Sequence, residues 1–144
     1  MYDPDVLDAL AAHYRAKTPP TGETLRFVSA YPVESIGAVP AIILYSGSDS
    51  VSYGASSRTT SLEVSATLYL PLVEYARQYA RIAKWRAWMR DALIDGVLLE
   101  NTDGVAQAST TGTSTDTSDV SDAPFIVITA NIQIVGVEAI APSA

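Results

Sequence analysis

The clearest signal in the chain is the spacing of its apolar residues. Val6, Leu7, Leu10, Ala11 and Tyr14 recur at intervals of three and four, the period of one helix face. Asp3-Pro4-Asp5 stands in front of them. The spacing predicts an amphipathic helix to about Lys17, with Asp3 as its cap and Pro4 at its first helical position. "TPPTG" then stops it.

After the stop the period becomes two. Leu25, Phe27, Ser29 and Tyr31 alternate with Arg26, Val28 and Ala30, predicting a strand over 24–31 that Pro32 ends. "VESIGAV" reads as an irregular link and "PAIILYSG" as a second, more deeply buried strand. "SGSDSVSYGASSRTT" is small and polar, and it reads as a loop too long for a tight hairpin. Leu62, Val64, Ala66, Leu68 and Leu70 share one face of a strand over 61–70, opposite Glu63, Ser65, Thr67 and Tyr69. Ile126, Ile128, Ala130, Ile132 and Ile134 mark a long central strand near the end of the chain.

Between these two strands lies a helix, expected from about Leu72 to Asp95 with Gly96 as its C-cap. At 100° per residue, Leu72, Tyr75, Ala76, Tyr79, Ile82, Ala83, Met89 and Leu93 form its expected sheet-facing stripe. Arg77, Arg81, Lys84 and Trp88 fall on the other side, Trp85 at the margin, and Arg86 and Arg90 close to the stripe's centre. "VLLE" and "VAQA" flank Asn101-Thr102-Asp103-Gly104 as a short hairpin. "STTGTSTDTSDVSDA" is low in complexity and reads as part of a mobile polar loop over about 101–123.

The order of elements implies one α+β domain spanning 1–144. It has an antiparallel or mixed sheet, an N-terminal helix, one long helix packed on a face, and long polar loops. Composition narrows what such a domain does. There is no cysteine and one histidine, so thiol chemistry and the usual zinc ligand sets are ruled out, and His13 reads as a helix residue. "DPD" and "DTSDVSD" lack the spacing of an EF-hand, and "SGSDSVSYG" lacks the lysine and the context of a phosphate loop. No serine has a recognisable His/Asp partner pattern. We therefore expect no catalytic residues, no cofactor and no metal. No basic, apolar leader opens the chain, and its longest apolar run is far short of the roughly 20 residues that cross a bilayer. The expectation is a soluble protein, with no membrane partner.

Charge changes the picture most. The net charge is −7, which argues against general nucleic-acid binding. Yet Tyr75–Leu93 holds five of the nine Lys and Arg residues and both tryptophans, while Asp91–Ala144 holds eight acidic residues and no basic one. A tryptophan among exposed cations is a favoured interface anchor. The expected contact surfaces are therefore Arg77, Arg81, Lys84, Trp88 and Arg90 on the helix, Tyr53 and Arg58 in the first polar segment, and Asp116, Asp119 and Asp122 in the second. A basic helix meeting an acidic segment suits a head-to-tail ring, and contact within one chain is the other reading. Arg and Trp gripping a phosphate backbone is a third.

An opening helix, strands such as "LRFVSAYP", "PAIILY" and "TSLEVSATLYLP", the passage "SATLYLPLVEYARQYARIAKWRAWMRDAL" and the late strand "APFIVITANIQIVGVEA" together resemble the tail terminator proteins of long-tailed bacteriophages. The resemblance spans nearly the whole chain and rests on element order. It implies a virion structural protein, assembled in the host cytoplasm and located in the tail or neck. Such a subunit forms a homo-hexameric ring that caps the tail tube, stops its polymerisation and presents a head-joining surface. Implied partners are other copies of the chain, the tail tube protein and a head-closure or neck protein, with DNA passing through the lumen unbound. A neck or head-closure (head–tail joining) component is the alternative within that class. A monomeric domain that binds peptides at a sheet edge is the alternative outside it.

Overall fold

The computed structural model describes residues 2–33, 36–72, 75–93, 105, 107–120 and 123–139. In chain order these form α1 (Asp3–Ala16), β1 (Phe27–Ser29), β2 (Ala41–Tyr53), β3 (Ser57–Pro71), α2 (Tyr75–Asp91), β4 (Gln107–Val120) and β5 (Ala123–Ala139). The architecture is α+β. The five strands make one mixed sheet in the order β1-β2-β3-β5-β4, in which only the β1–β2 pair is parallel.

Period-2 patterning places the core. Leu62 to Leu70 on β3 and Ile126 to Ile134 on β5 turn their alternate apolar side chains to one face, joined by Ile42 and Leu44 of β2. Val6, Leu7, Leu10, Ala11 and Tyr14 of α1 and Ile82, Trp85 and Met89 of α2 close over the same face. Large side chains such as Leu10, Leu44, Leu68, Trp85, Ile128 and Ile134 are fully buried there, each contributing roughly 1.5–3 kcal/mol. The opposite face carries Glu63, Ser65, Thr67 and Tyr69 from β3 beside Gln133, Asn131, Thr129 and Val127 from β5. Among the described residues no helix covers it.

Several expectations need correction. Tyr2, not Asp3, is the N-cap of α1, and it makes no side-chain cap; Asp3 and Asp5 lie in the first turn, where they favour the helix dipole. The strand expected over 24–31 is only Phe27–Ser29. The segment from Ser46 to Thr60 is not a long loop. β2 and β3 run on through it as a hairpin, Tyr53 pairing with Arg58 across a turn at 54–56. The loop expected over 101–123 is largely β4, paired with β5 from Gln107 opposite Val135 to Val120 opposite Ala123. Its signal is a different alternation: Thr113, Thr115 and Thr117 lie on the helix-side face, opposite Ala130, Ile128 and Ile126. Threonine is β-branched and suits a half-covered strand, though it adds nothing to a hydrophobic count. The Asn101–Gly104 turn and Gly96 lie outside the described residues.

α2 is also phased differently from its expected stripe. Gln78, Ile82, Trp85, Met89, Ala92 and Leu93 are buried, whereas Tyr79 is 69% exposed and Ala83 faces solvent. Trp85 is therefore the centre of the buried face rather than its margin. Gln78 sits inside because its Nε2 donates to the Pro71 carbonyl at 3.0 Å.

Candidate interaction surfaces

α2 lies against α1 and the segment that follows it, and three polar contacts fix the match. His13 Nε2 is 2.8 Å from the Ala92 carbonyl; since a carbonyl only accepts, Nε2 carries the proton. Trp88 Nε1 donates to the Thr18 carbonyl at 2.7 Å. Arg81 forms a fork with Glu23, both N–H···O distances being 2.9 Å. The order 13–92, 18–88, 23–81 shows the two segments running antiparallel.

The Arg81 fork depends on a local device in the sequence. Gly22 has φ +81°, and Glu23 N donates to the Pro20 carbonyl at 2.9 Å, closing a tight turn. Positive φ at the third position suits glycine, and the turn brings Glu23 back toward α2.

These contacts revise the picture of a free basic face. Trp88 is half-buried, with its ring 5.3 Å from Trp85, edge to face, and 5.9 Å from Tyr14. It does not stand free among exposed cations, because its indole N–H and much of its ring are committed within the chain. Arg81 is likewise committed. Arg86 points away from the core and donates to Thr113 of β4 through Oγ1 at 3.1 Å and the carbonyl at 3.3 Å. Lys84 is exposed, and Arg90 is exposed beside Asp91 at 3.1 Å. Arg77 lies in the first turn of α2 with its side chain outside those described.

The remaining expected residues fall elsewhere. Tyr53, Arg58 and Glu138 share one row across β2, β3 and β5 at the far end of the sheet. Arg58 Nη2 donates to Glu138 Oε2 at 2.6 Å. That hydrogen bond, with the guanidinium charge behind it, holds the Glu138 carboxyl below its ordinary range and pushes the Arg58 guanidinium up. Tyr53 is 71% exposed beside them, with Val51 and Val137 also exposed on these strands. Asp116 is exposed on β4, its carboxylate accepting from Thr117 N at 2.8 Å. Asp119 is in β4 opposite Pro124, its side chain outside those described, and Asp122 lies outside the described residues. The structure thus brings Tyr53 and Arg58 together and keeps both apart from the α2 cations.

Two features were missed from sequence. One is an open cleft of about 700 Å³ beside β1, lined by Arg15, Lys17, Glu23, Leu25, Arg26 and Val28 among others. Three of the nine basic residues meet there, a local density readable in 15–26 but overshadowed by α2. Arg15 Nη2 donates to the Val28 carbonyl at 2.7 Å, which fixes one wall. The other is the bare face of the sheet. The strands flanking β3 and β5, β2 and β4, break register at the same level, between Ser46 and Asp49 and between Thr110 and Gly112, beside the Val64–Ile132 pair. Bulges bend strands, and a polar depression lined by Gly47, Glu63, Ser65, Thr111, Asn131 and Gln133 lies at that level.

Burial pushes the Tyr14 phenol well above its ordinary range, so it stays neutral. Among the described residues no group of three or more His, Asp or Glu side chains could hold a metal ion. No described helix is long and apolar enough to cross a membrane. No protein-family model matches the chain, and no curated protein matches it significantly.

Proposed function

We propose that this chain is a non-catalytic structural subunit of a bacteriophage tail, a terminator whose copies form a ring on the end of the tail tube. The observation that carries the reading is β4. It is a fourteen-residue strand at the end of the sheet, and no strand among the described residues pairs with the edge it turns away from β5. Long edge strands are usually shortened, covered or guarded by Lys or Pro, because they template pairing with another chain. This one has neither residue between Gln107 and Val120; its only guards there are the bulge between Thr110 and Gly112 and the charges of Asp116 and Asp119, which leaves a long edge for a neighbour to cover.

The rest of the molecule fits such a part. The net charge of −7 lets a ring pass DNA without holding it. The exposed hairpin end, with Val51, Tyr53 and Val137, offers apolar contact for the tube end or the neck. Negative-stain imaging of the purified protein, alone and mixed with tail tube subunits, tests the reading. Rings, and tubes of limited length closed by them, are expected. Tubes that grow without limit in its presence would remove the terminator role, and rings that ignore tube ends would move the protein to the neck.

A further inference from the structure

Sheet register puts two oppositely charged patches at one level on opposite edges. Phe27 pairs with Ala41, Ala41 with Tyr69, Tyr69 with Val127, and Val127 with Asp116. A single row thus runs from β1 to the acidic end of β4. β4 is antiparallel to β1, so β4 runs on from Asp116 to Asp119 in the direction from which residues 24–26 lead into Phe27. Those are the residues that wall the basic cleft.

The cleft itself is positive. Its one carboxylate, Glu23, is taken by the Arg81 fork. Arg15, Lys17 and Arg26 have no carboxylate partner among the described residues. We propose that this cleft receives the Asp116–Asp119 end of β4 from a second copy of the chain, displaced sideways in the plane of the sheet with no slide along the strands. The inference rests on the ring reading above and names its contact. Cleft and strand end are different surfaces, so each copy carries one of each, and repetition closes a ring when the rotation between neighbours allows it. A neighbour's β4 beside β1 would run antiparallel to it, as in three of the sheet's four strand pairs, and the charge match favours this register over others.

Charge reversal tests it in the full chain by sedimentation velocity. Lys17→Glu with Arg26→Glu, or Asp116→Lys with Asp119→Lys, is expected to lower the assembled fraction at least about tenfold at moderate salt. Combining all four substitutions is expected to restore it, since each patch then meets its opposite again. Added salt is expected to weaken the wild-type contact, because exposed charges are screened within about 10 Å at 0.1 M. Circular dichroism checks that each variant is folded.

A second measurement keeps every charge in place. The chain has no cysteine, so Thr24→Cys with Thr117→Cys supplies the only thiols. Within one copy they are four strand spacings apart, roughly 19 Å at about 4.8 Å each, too far for a short bismaleimide linker. A ladder of covalent multimers supports the proposal. Reversal variants that assemble like wild type, or a cysteine pair that stays monomeric while wild type forms rings, overturn it and leave the ring reading standing. A wild-type chain that stays monomeric alone and with tube subunits brings down both.

Discussion

Trp88 decides between two views of α2, and replacing it separates them. Its indole N–H donates to the Thr18 carbonyl at 2.7 Å and its ring packs on Tyr14 and Trp85. Trp88→Phe keeps a ring and removes the hydrogen bond, which costs about 1 kcal/mol. Trp88→Ala also removes two aromatic contacts, each about 0.5–1.5 kcal/mol beyond area, and part of the burial. A fully buried tryptophan cut to alanine costs about 3–5 kcal/mol, so a half-buried one with a satisfied N–H belongs near the lower end, about 3 kcal/mol. For a domain of this size that is a fall in Tm of roughly 9 °C. Urea unfolding should show lower midpoints in the order wild type, Trp88→Phe, Trp88→Ala, with the slope unchanged. Should Trp88→Ala unfold within about 0.5 kcal/mol of wild type and yet fail to assemble, Trp88 is an interface anchor and the intramolecular account is wrong.

Two other outcomes follow from the sheet. Glu138 has its folded pKa lowered from an ordinary value near 4.5, chiefly by the Arg58 hydrogen bond, so its contribution is present above the unfolded pKa and is lost as pH falls through the folded one. The Tm gap between wild type and Glu138→Gln should hold steady near neutrality and close below about pH 4; a gap that widens at pH 3 contradicts the pairing. Amide hydrogen exchange checks β4: alternate amides over 107–120, those aimed at β5, should be protected in the isolated chain and the outward ones should not. Uniformly fast exchange there would remove the strand and with it the edge on which the proposed ring rests.

Legibility followed the kind of side chain that carries each pattern. All five core positions of α1 were read from their spacing, because each is apolar and the helix has one buried face. β3 and the central part of β5 were read from strict apolar alternation, and the α+β class followed. β4 and the distal half of β2 were not, since Ser, Thr and Asp there carry the strand by backbone pairing to an apolar neighbour. Their partners, not their own side chains, supply the burial. α2 was placed but mis-phased. α2 packs on β4 and β5 and also meets Tyr14 of α1 through Trp88, so no single stripe describes it. The Arg81–Glu23 fork joins residues far apart in the chain and depends on the Gly22 turn, which no local period reveals.

The same distinction bears on function. Of the charges expected to form contact surfaces, Arg81 and Arg58 are spent within the chain on Glu23 and Glu138. A charge paired at home gains little by meeting a partner, because it must first give up the carboxylate it has. The cations left without a carboxylate at the β1 edge are Arg15, Lys17 and Arg26, and they line a cleft whose wall is already set by the Arg15 bond to Val28. A sheet with cations at one edge and, at the other, a strand that carries Asp116 and Asp119 and has no further strand beside it among the described residues is open at both ends in complementary ways. In the proposed ring one neighbouring copy meets the cation edge and another meets the acidic strand end, so both edges are met by repeating one contact between copies of the same protein.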